Sequence, residues 1–461
     1  MAQSPARSRL LVFGLVWFGQ LVSLVGSSLT SFALGVTILQ STGSTTRFSL
    51  LSFFVFAPIF ALSPFAGAFV DRRDRRLVML FSDLGGGIGS LLIWLLYTAG
   101  QTGRWHVETW YFYVPVALGS AAGAFRWPAY QASTTLLVPK QHLGRANGLI
   151  DLALGAGQVA APVMAGALVG RIGLQGILIL DLGSFLFSVV MLLWVRFPPH
   201  QRVGDRKSLL RDVAYGWSYI RSRPGLFWLM FFLASVNLVM SLVAVLITPL
   251  VLSFSTVTSL GLVLSLGGAG MLSGGVLMGI WGGGHRRMRT VVAFQFLGGL
   301  VLLLGGAPPT VGLIAVAASV FLFTIPFSTS TVQTIWQRKV PPGLQGRVFA
   351  VRRMVVLSAA PLATLLAGPL ADRLFEPWLA PGGPLAGSVG RLVGTGPGRG
   401  IGLIFALLGL LFLGIAVAVR LSARVWNVEA ELPDAVADEA PSRVAAQPRP
   451  GLAAGAGGAG T

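Results

Sequence analysis

The chain has 461 residues, 54% of them hydrophobic and 11% charged, with a mean hydropathy of +0.77 and a net charge of +19. Soluble domains carry roughly 25% charged residues, so a chain this apolar cannot cover a water-facing surface, and lipid is the solvent that its composition fits. Cysteine is absent, which excludes disulfides, thiolate zinc sites and a cysteine nucleophile.

Uncharged runs of about 20 residues mark membrane-spanning helices. A transmembrane barrel would instead alternate in short segments of about ten residues. Runs such as "ILILDLGSFLFSVVMLLWV" are continuous, so the expected class is an all-α membrane protein. The start, with Arg7 and Arg9, resembles a signal peptide, but its apolar run continues to Leu39 and reads as a first span. In chain order about twelve spans follow the length criterion. They cover 10–38, 48–70, 77–99, 111–137, 146–169, 175–195, 226–250, 258–281, 290–306, 310–333, 349–371 and 401–420. Between the sixth and seventh lies a polar segment in which Leu209, Val213, Trp217 and Ile220 recur on one helical face. That pattern predicts an amphipathic helix at the membrane surface. The Ala/Gly/Pro-rich tail from Ser422 is expected to have no fold. Domain limits follow: a first half at 1–196, a linker at 197–224, a second half at 225–421 and a tail at 422–461.

Charge gives the orientation. With the N-terminus inside, most of the 34 Lys and Arg fall in cytoplasmic loops, and only Arg47, Arg104, Arg171, Arg373, Arg391 and Arg399 lie outside. This is the positive-inside bias. It accounts for the net charge without a nucleic-acid partner and predicts both termini in the cytoplasm. The four histidines, His106, His142, His200 and His285, fall in predicted loops, so neither a metal cluster nor a cofactor is expected.

Two short loops repeat. "VPKQHLGR" (138–145) follows span four and "VPPGLQGR" (340–347) follows span ten, while "DRRDRR" (71–76) after span two matches "GGGHRR" (282–287) after span eight. Two parallel six-span halves account for both pairs, an architecture of transporters with the substrate site between the halves. The stretch "GAFVDRRDRR" resembles the loop signature of the major facilitator superfamily. "FRWPAYQASTTLLVPKQHLGRANGL", "GMLSGGVLMGIWGGGHRR" and "VPPGLQGRVFAVRR" are similar, more narrowly, to its drug, macrolide and siderophore exporters. The resemblance reaches to about residue 421. It implies the major facilitator fold, twelve helices, and export coupled in many members to inward proton flow.

Gly67, lacking a side chain, permits close helix approach. Asp71 has Arg72 beside it and Arg75 at i+4, a pair that forms if the turn is helical. The resemblance implies that Asp71, with Arg72, Arg75 and Arg76 around it, approaches the start of helix eleven and latches the halves in one state. The second half has Gly282 at that position, so the latch is one-sided. Gly155, Gly157, Pro162 and Gly166 in span five suit tight packing and a kink. They resemble the Gly/Pro segment of antiporters, with Ala-Pro where those have Gly-Pro.

Polar groups within spans are candidate functional groups. Arg126 lies about twelve residues, roughly 18 Å, from the end of span four. A charge at that depth needs a wet cavity or an acid. Asp83 and Asp151, toward the cytoplasmic end, and Asp181, toward the outside, are its possible partners. Arg126 then serves proton coupling or contacts an anionic substrate. Gln20, Gln158, Asn237 and Gln295 are further cavity candidates, with helix–helix hydrogen bonding as the other role. Lys140, Lys207 and Lys339 are the only lysines and none follows glycine, so the phosphate loop of an ATP-driven pump is absent. No histidine falls in a span, and no nucleophile–base pair marks an enzyme. The expected function is secondary export of amphipathic small molecules, such as drugs, macrolides, siderophores or peptide-like metabolites, by proton antiport in a bacterial cytoplasmic membrane. Uptake, or a non-transporting receptor or scaffold, is the alternative.

The orientation has a direct check. Because the chain lacks cysteine, single cysteines are clean probes. An impermeant thiol reagent should label Gly387→Cys in intact cells and leave Ser208→Cys unlabelled; the reverse pattern would invert the topology.

Overall fold

The computed structural model describes residues 5–103, 105–138, 142–195, 197, 209–282 and 286–431, and the regular elements among them are all helical. In chain order they are α1 (Pro5–Thr42), α2 (Thr45–Arg72), α3 (Arg75–Gln101), α4 (Tyr113–Leu137), α5 (Leu143–Trp194), α6 (Leu209–Arg221), α7 (Pro224–Leu252), α8 (Val257–Trp281), α9 (Arg287–Leu303), α10 (Val311–Lys339), α11 (Pro342–Leu357) and α12 (Ala359–Pro369). A π-helical stretch, Leu370–Phe375, continues into the single turns α13 (Glu376–Leu379) and α14 (Gly390–Val393). The chain then forms α15 (Arg399–Leu421) and two more short turns, α16 (Ala423–Trp426) and α17 (Val428–Glu431). The end that carries Arg73–Arg76 and Arg287 is the basic end of the bundle, and the opposite one is the far end.

Helices are the form in which an apolar run satisfies its own backbone in lipid. Side-chain oxygens of Ser44, Asp74, Thr256 and Thr310 cap the first turns of α2, α3, α8 and α10. Among the described residues, 10 helical segments are long and apolar enough to cross a membrane. The helix α4, which carries Arg126, is not one of them. The helix α5 runs for 52 residues through two expected spans, with a break at Gly173 (φ 63, ψ −176). That backbone suits glycine alone, and it folds the chain back on itself. Leu174, Ile177 and Leu178 pack with Ala161 and Ala165, while Leu192 and Val195 pack with Ala146 and Ile150.

Two groups of helices build their own cores, with Val36 of α1 joining that of the second group and Phe32 and Phe48 packed against it. The α7–α15 group has one continuous apolar core, centred on buried side chains such as Leu229, Phe321, Trp336 and Phe412. The α1–α5 group has two, one at the basic end around Met79 and Leu137 and one at the far end around Ala33 and Ile177. Within the second group helices meet at glycines. Gly270 and Gly274 of α8 lie against the backbone of Ser319 and Phe323 in α10, and Gly409 of α15 lies against Gly299 and Leu303 of α9.

The named contacts between the two groups sit toward the far end. Gly166 of α5 packs on Val257 and Thr258, and Pro162 packs on Gly261 of α8. Pro162 cannot donate to the helix ladder, and nearby the carbonyl of Val159 accepts a bond from Ser265 Oγ of α8 at 2.6 Å. Gly368 of α12 lies against Thr46 and Ser49 of α2. Toward the basic end, Gly67 of α2 faces open space, with nothing within 4 Å of a would-be Cβ. The close approach expected at Gly67 is therefore absent in this arrangement, because the cross-group contacts of α2 fall near its start.

Two further expectations change. The amphipathic helix α6 is not a free surface helix. Its Ile220 is fully buried, and Gly216 lies against the Arg347 carbonyl of α11. Protein surface, opened by a glycine, takes Ile220 and part of Val213 from the face expected to rest on lipid, while Trp217 stays exposed. The tail is also folded for its first residues. Val425 and Val428 are buried in the second core, with Val428 and Arg424 seated over Gly225 of α7. Glu429 pairs with Arg287 at 2.9 Å, and its carbonyl accepts from Lys339 Nζ at 2.5 Å. Residues 432–461 lie outside the described residues.

Glycine packing in the second group is testable by a matched pair. Gly274→Val forces a side chain onto the Phe323 carbonyl, whereas Gly275, with nothing within 4 Å, has room. Overpacking costs about 1–3 kcal/mol, so Gly274→Val should lower the melting temperature of the purified protein by several degrees and Gly275→Ala should leave it unchanged.

Candidate functional site

A polar layer separates the two cores of the α1–α5 group. At its centre Asp83 of α3 is completely buried. Its Oδ2 accepts from Gln20 Nε2 of α1 at 2.8 Å and from Ser188 Oγ of α5 at 2.7 Å, and Gln20 Nε2 also donates to Ser188 Oγ at 3.0 Å. Arg126 of α4 reaches Asp83 Oδ1 at 3.5 Å and donates to Ser23 Oγ of α1 at 3.3 Å. Four helices thus meet on one carboxylate. An ion pair in such a place offsets its desolvation only when its remaining polar atoms are also satisfied, and Gln20, Ser23 and Ser188 supply those bonds.

A second buried acid sits close by. Asp181 of α5 is 1% exposed. Its Oδ2 accepts from Ser90 Oγ at 2.7 Å and its Oδ1 from Ser184 Oγ at 3.3 Å. Gly26 of α1 makes room for this cluster, since a Cβ there would fall 2.9 Å from Asp181 Oδ1. Arg126 and Asp181 both line a chamber of about 460 Å³, together with hydroxyls of Ser27, Thr30, Ser31, Ser52, Ser82 and Ser120.

That chamber adjoins a larger cavity of about 720 Å³ between the two groups, and the two share Ser27, Ser31 and Phe56. The larger cavity is apolar, with Met240, Val243, Met271, Phe321 and Leu322 on the side of the second group. Gly157 and Pro162 of α5 face it from the first. A molecule placed across both meets a greasy wall on one side and, on the other, hydroxyls and one guanidinium set among apolar side chains such as Phe48, Phe56 and Phe185.

Arg126, Asp83, Asp181, Gln20, Gly157 and Pro162 are the sequence candidates that this arrangement brings together. Of the three acids offered to Arg126, Asp83 is its ion-pair partner, and Gln20 joins them. Gln295 is buried on α9 and its Nε2 has no hydrogen-bond partner among the described residues. Asn237 is half-buried on α7 and lines neither cavity. Gly166 belongs to the contact between groups, away from both. Gly155 lies on α5. The side chains of Asp71, Arg72, Asp151 and Gln158 lie outside the described residues.

The basic loop differs from expectation. The helix ends at Arg72 and Arg73 is extended, so Asp71 and Arg75 do not share a helical turn. Arg75 Nη1 instead donates to the Ala132 carbonyl at 2.8 Å. Arg76 donates to the Leu192 and Leu193 carbonyls at 2.8 and 2.7 Å, tying the loop to the end of α5. Asp74, the second acid of "DRRDRR", was not singled out in the sequence. It caps α3 by accepting from the Arg76 amide at 2.9 Å. The chamber hydroxyls were also missed, although Ser23, Ser27, Thr30 and Ser31 recur at helical spacing along α1.

Comparison with known proteins adds to this geometry. The sequence model of the Major Facilitator Superfamily matches residues 16–364. Macrolide efflux protein A of Streptococcus pyogenes is 27% identical over 383 residues, covering 79% of this chain and 90% of that protein. Multidrug efflux pump Tap of Mycolicibacterium fortuitum is 24% identical over 369 residues, covering 78% and 88%. Among solved structures, a bacterial homologue of the human lysosomal transporter Spinster, inward-facing and unoccupied, superposes with a TM-score of 0.69 at 14% identity. It covers 93% of this chain and 99% of its own. An inward-facing bacterial homologue of the iron transporter ferroportin gives 0.66 at 17% identity, covering 91% and 100%.

The buried pair yields a prediction about folding. Removing one partner of a buried ion pair typically costs about 3–5 kcal/mol, while replacing both is far milder. Arg126→Met and Asp83→Asn should each lower the melting temperature and the folded yield, and the double variant should recover most of the loss. Additive losses in a double-mutant cycle would mean that the 3.5 Å contact carries no coupling.

Proposed function

Because the chain belongs to the Major Facilitator Superfamily, we propose that it is a twelve-helix secondary transporter that exports amphipathic small molecules in exchange for protons. It is a multi-pass membrane protein with efflux pumps among its relatives. The count of twelve takes the hairpin at Gly173 as two spans and α4 as another. Two six-helix halves then coincide with the α1–α5 and α7–α15 groups, joined by the linker with α6. The positive-inside bias turns the basic end and both termini toward the cytoplasm of a bacterial cell. In that orientation the far end is external and shut, the basic end is cytoplasmic, and the arrangement corresponds to an inward-open state of alternating access.

The observation that carries the reading is the two-part cavity. Its apolar part of about 720 Å³ suits the lipophilic body of a large amphiphile, and the hydroxyl-lined chamber of about 460 Å³ suits its polar face. No cofactor is required for such binding. Proton coupling falls to Asp181. Its partners are hydroxyls, which donate to a carboxylate and turn to accept from a carboxylic acid. The Ser90 hydroxyl can therefore satisfy either protonation state, while Ser184 Oγ also donates to the Asp181 carbonyl at 2.7 Å. Asp83 is the fixed counterion of Arg126, and Arg126 presents its charge to the chamber beside Asp181. In the opposite state the basic end closes. The latch role of Asp71 and Arg72 belongs there, with Gly67 supplying the surface that a neighbouring helix approaches. Arg75 and Arg76 hold the loop in its place.

Proteoliposomes test the whole reading. Adding a macrolide or a lipophilic dye to vesicles that carry a proton gradient should release protons through the wild-type protein. Asp181→Asn should bind the same compound with little change yet lose gradient-driven export at least ten-fold, and Asp181→Glu should keep part of it. Binding without any proton movement in the wild type would leave a receptor, and dye accumulation in the opposite direction would leave uptake.

A further inference from the structure

At the far end one carboxylate crosses from the second group to the first. Asp372 stands on the π-helical stretch Leu370–Phe375, which continues α12. Its Oδ2 accepts from the Thr46 amide at 2.8 Å and from Ser44 Oγ at 2.8 Å, and its Oδ1 accepts from the Thr45 amide at 3.1 Å. Those groups are the cap and first two amides of α2. The opening amides of a helix have no partner within it, and the helix dipole favours an anion there. Ser44 Oγ also accepts from the Arg47 amide at 3.3 Å, so it links the carboxylate into the helix's own cap. One turn below, Gly368 brings α12 onto Thr46 and Ser49, which holds the two helices at the distance that the carboxylate spans.

Glu376, four residues on, offers an internal comparison. It accepts from the Gly398 amide at 3.2 Å and the Ile401 amide at 3.1 Å, and so caps α15. That contact stays within the second group. Both acids line a vestibule of about 760 Å³ that also reaches Ser44 and Thr45. Parting the two groups at this end would leave the Glu376 cap intact. It would break every bond that Asp372 makes to α2 and return its carboxylate to water.

We propose that Asp372 is the clasp of the external gate: by capping α2 of the opposite half it holds the gate shut and sets how often the transporter opens outward. The role rests on the alternating-access reading above, and Asp372 acts as a positioning residue without touching substrate. It complements a basic-end latch at Asp71 with an acid at the other end of the same pair of helices.

The test uses the full-length protein in cell membranes, with Ser52→Cys as the single cysteine. Ser52 lines the chamber beneath the clasp, on α2. An impermeant maleimide added outside should label it slowly in the parent. Asp372→Asn should raise that rate roughly ten-fold, and Asp372→Glu should give an intermediate rise. Thr45→Pro removes one donor while leaving Asp372 in place, and proline is tolerated at the first helical position; it should raise the rate by a smaller factor. It also decides the matter if Asp372→Asn does not fold. Glu376→Gln should leave labelling as in the parent. Unchanged labelling in folded Asp372→Asn or, failing that, in Thr45→Pro would overturn the proposal, as would an equal rise in Glu376→Gln, which would signal general loosening of that end. Labelling needs neither substrate nor proton gradient, so a protein that labels as expected but moves no macrolide would refute export and leave the clasp standing.

Discussion

A carboxylate without water sets the terms for the first half of this molecule. Asp83 is fully enclosed, and a charge enclosed in this way must be matched or the fold cannot keep it. The match is drawn from Gln20 and Ser23 on α1, Arg126 on α4 and Ser188 on α5. Directional bonds of this kind fix rotation as well as distance, so four helices are locked in register at mid-height. The apolar core has to divide around them, which is why the first group has two clusters where the second has one. The second group lacks such an anchor among its described residues. Glycines of α8, α9 and α15 let backbones touch there, and dispersion over long contacts replaces specific bonds.

These two modes of cohesion bear on how the halves meet. Each half is internally well tied, by polar bonds in one and close backbones in the other. Between halves the named ties gather near the far end, at Pro162 and Gly261, at Ser265 and Val159, and at Gly368 and Thr46. Small residues, the Ser265 hydroxyl and the bonds of Asp372 to the start of α2 stand in that interface, with Val36, Phe32 and Phe48 beside them. Close backbone approach at Gly261, Gly166 and Gly368 and a few directional bonds therefore mark the boundary between the groups. The cavity lies where the two modes meet, which accounts for its unequal walls: most of the hydroxyls come from the first group, with Thr248 added by α7, and most of the apolar wall of the larger part comes from the second.

Much of this was legible in the sequence, and the limits have physical causes. Length and hydropathy located the long helices, and the depth of Arg126 along α4 pointed to a charge in need of a wet cavity or an acid; its guanidinium lines the chamber and stands 3.5 Å from Asp83. Depth alone could not choose among Asp83, Asp151 and Asp181. Position along a helix is linear in sequence, whereas the choice depends on rotation about the axis and on which neighbour stands opposite. The fold of the tail to Glu431 was hidden because its composition is that of a flexible segment; two valines, the notch at Gly225 and the bonds of Glu429 to Arg287 and Lys339 hold it. Gly67 was read as a contact point from its residue type, but contact also depends on the conformational state. Asp372 gave no signal at all. Its partners are mostly backbone amides more than three hundred residues away, and amides leave no mark in the letters of a chain.

The ties made by the two loop arginines differ in when they can form. Arg76 bonds to carbonyls at the end of α5, 116 residues later, which the ribosome has released before α7 is made. Arg287 waits for Glu429, 142 residues downstream and beyond the last long helix. Domains emerging from the ribosome fold from the N-terminus forward. The first group can therefore close its own loop early in synthesis, while the second stays unfastened until Glu429 has been made. For this chain the order of assembly is written into its connectivity, and the long helix α15 is followed almost at once by the residue that fastens its group.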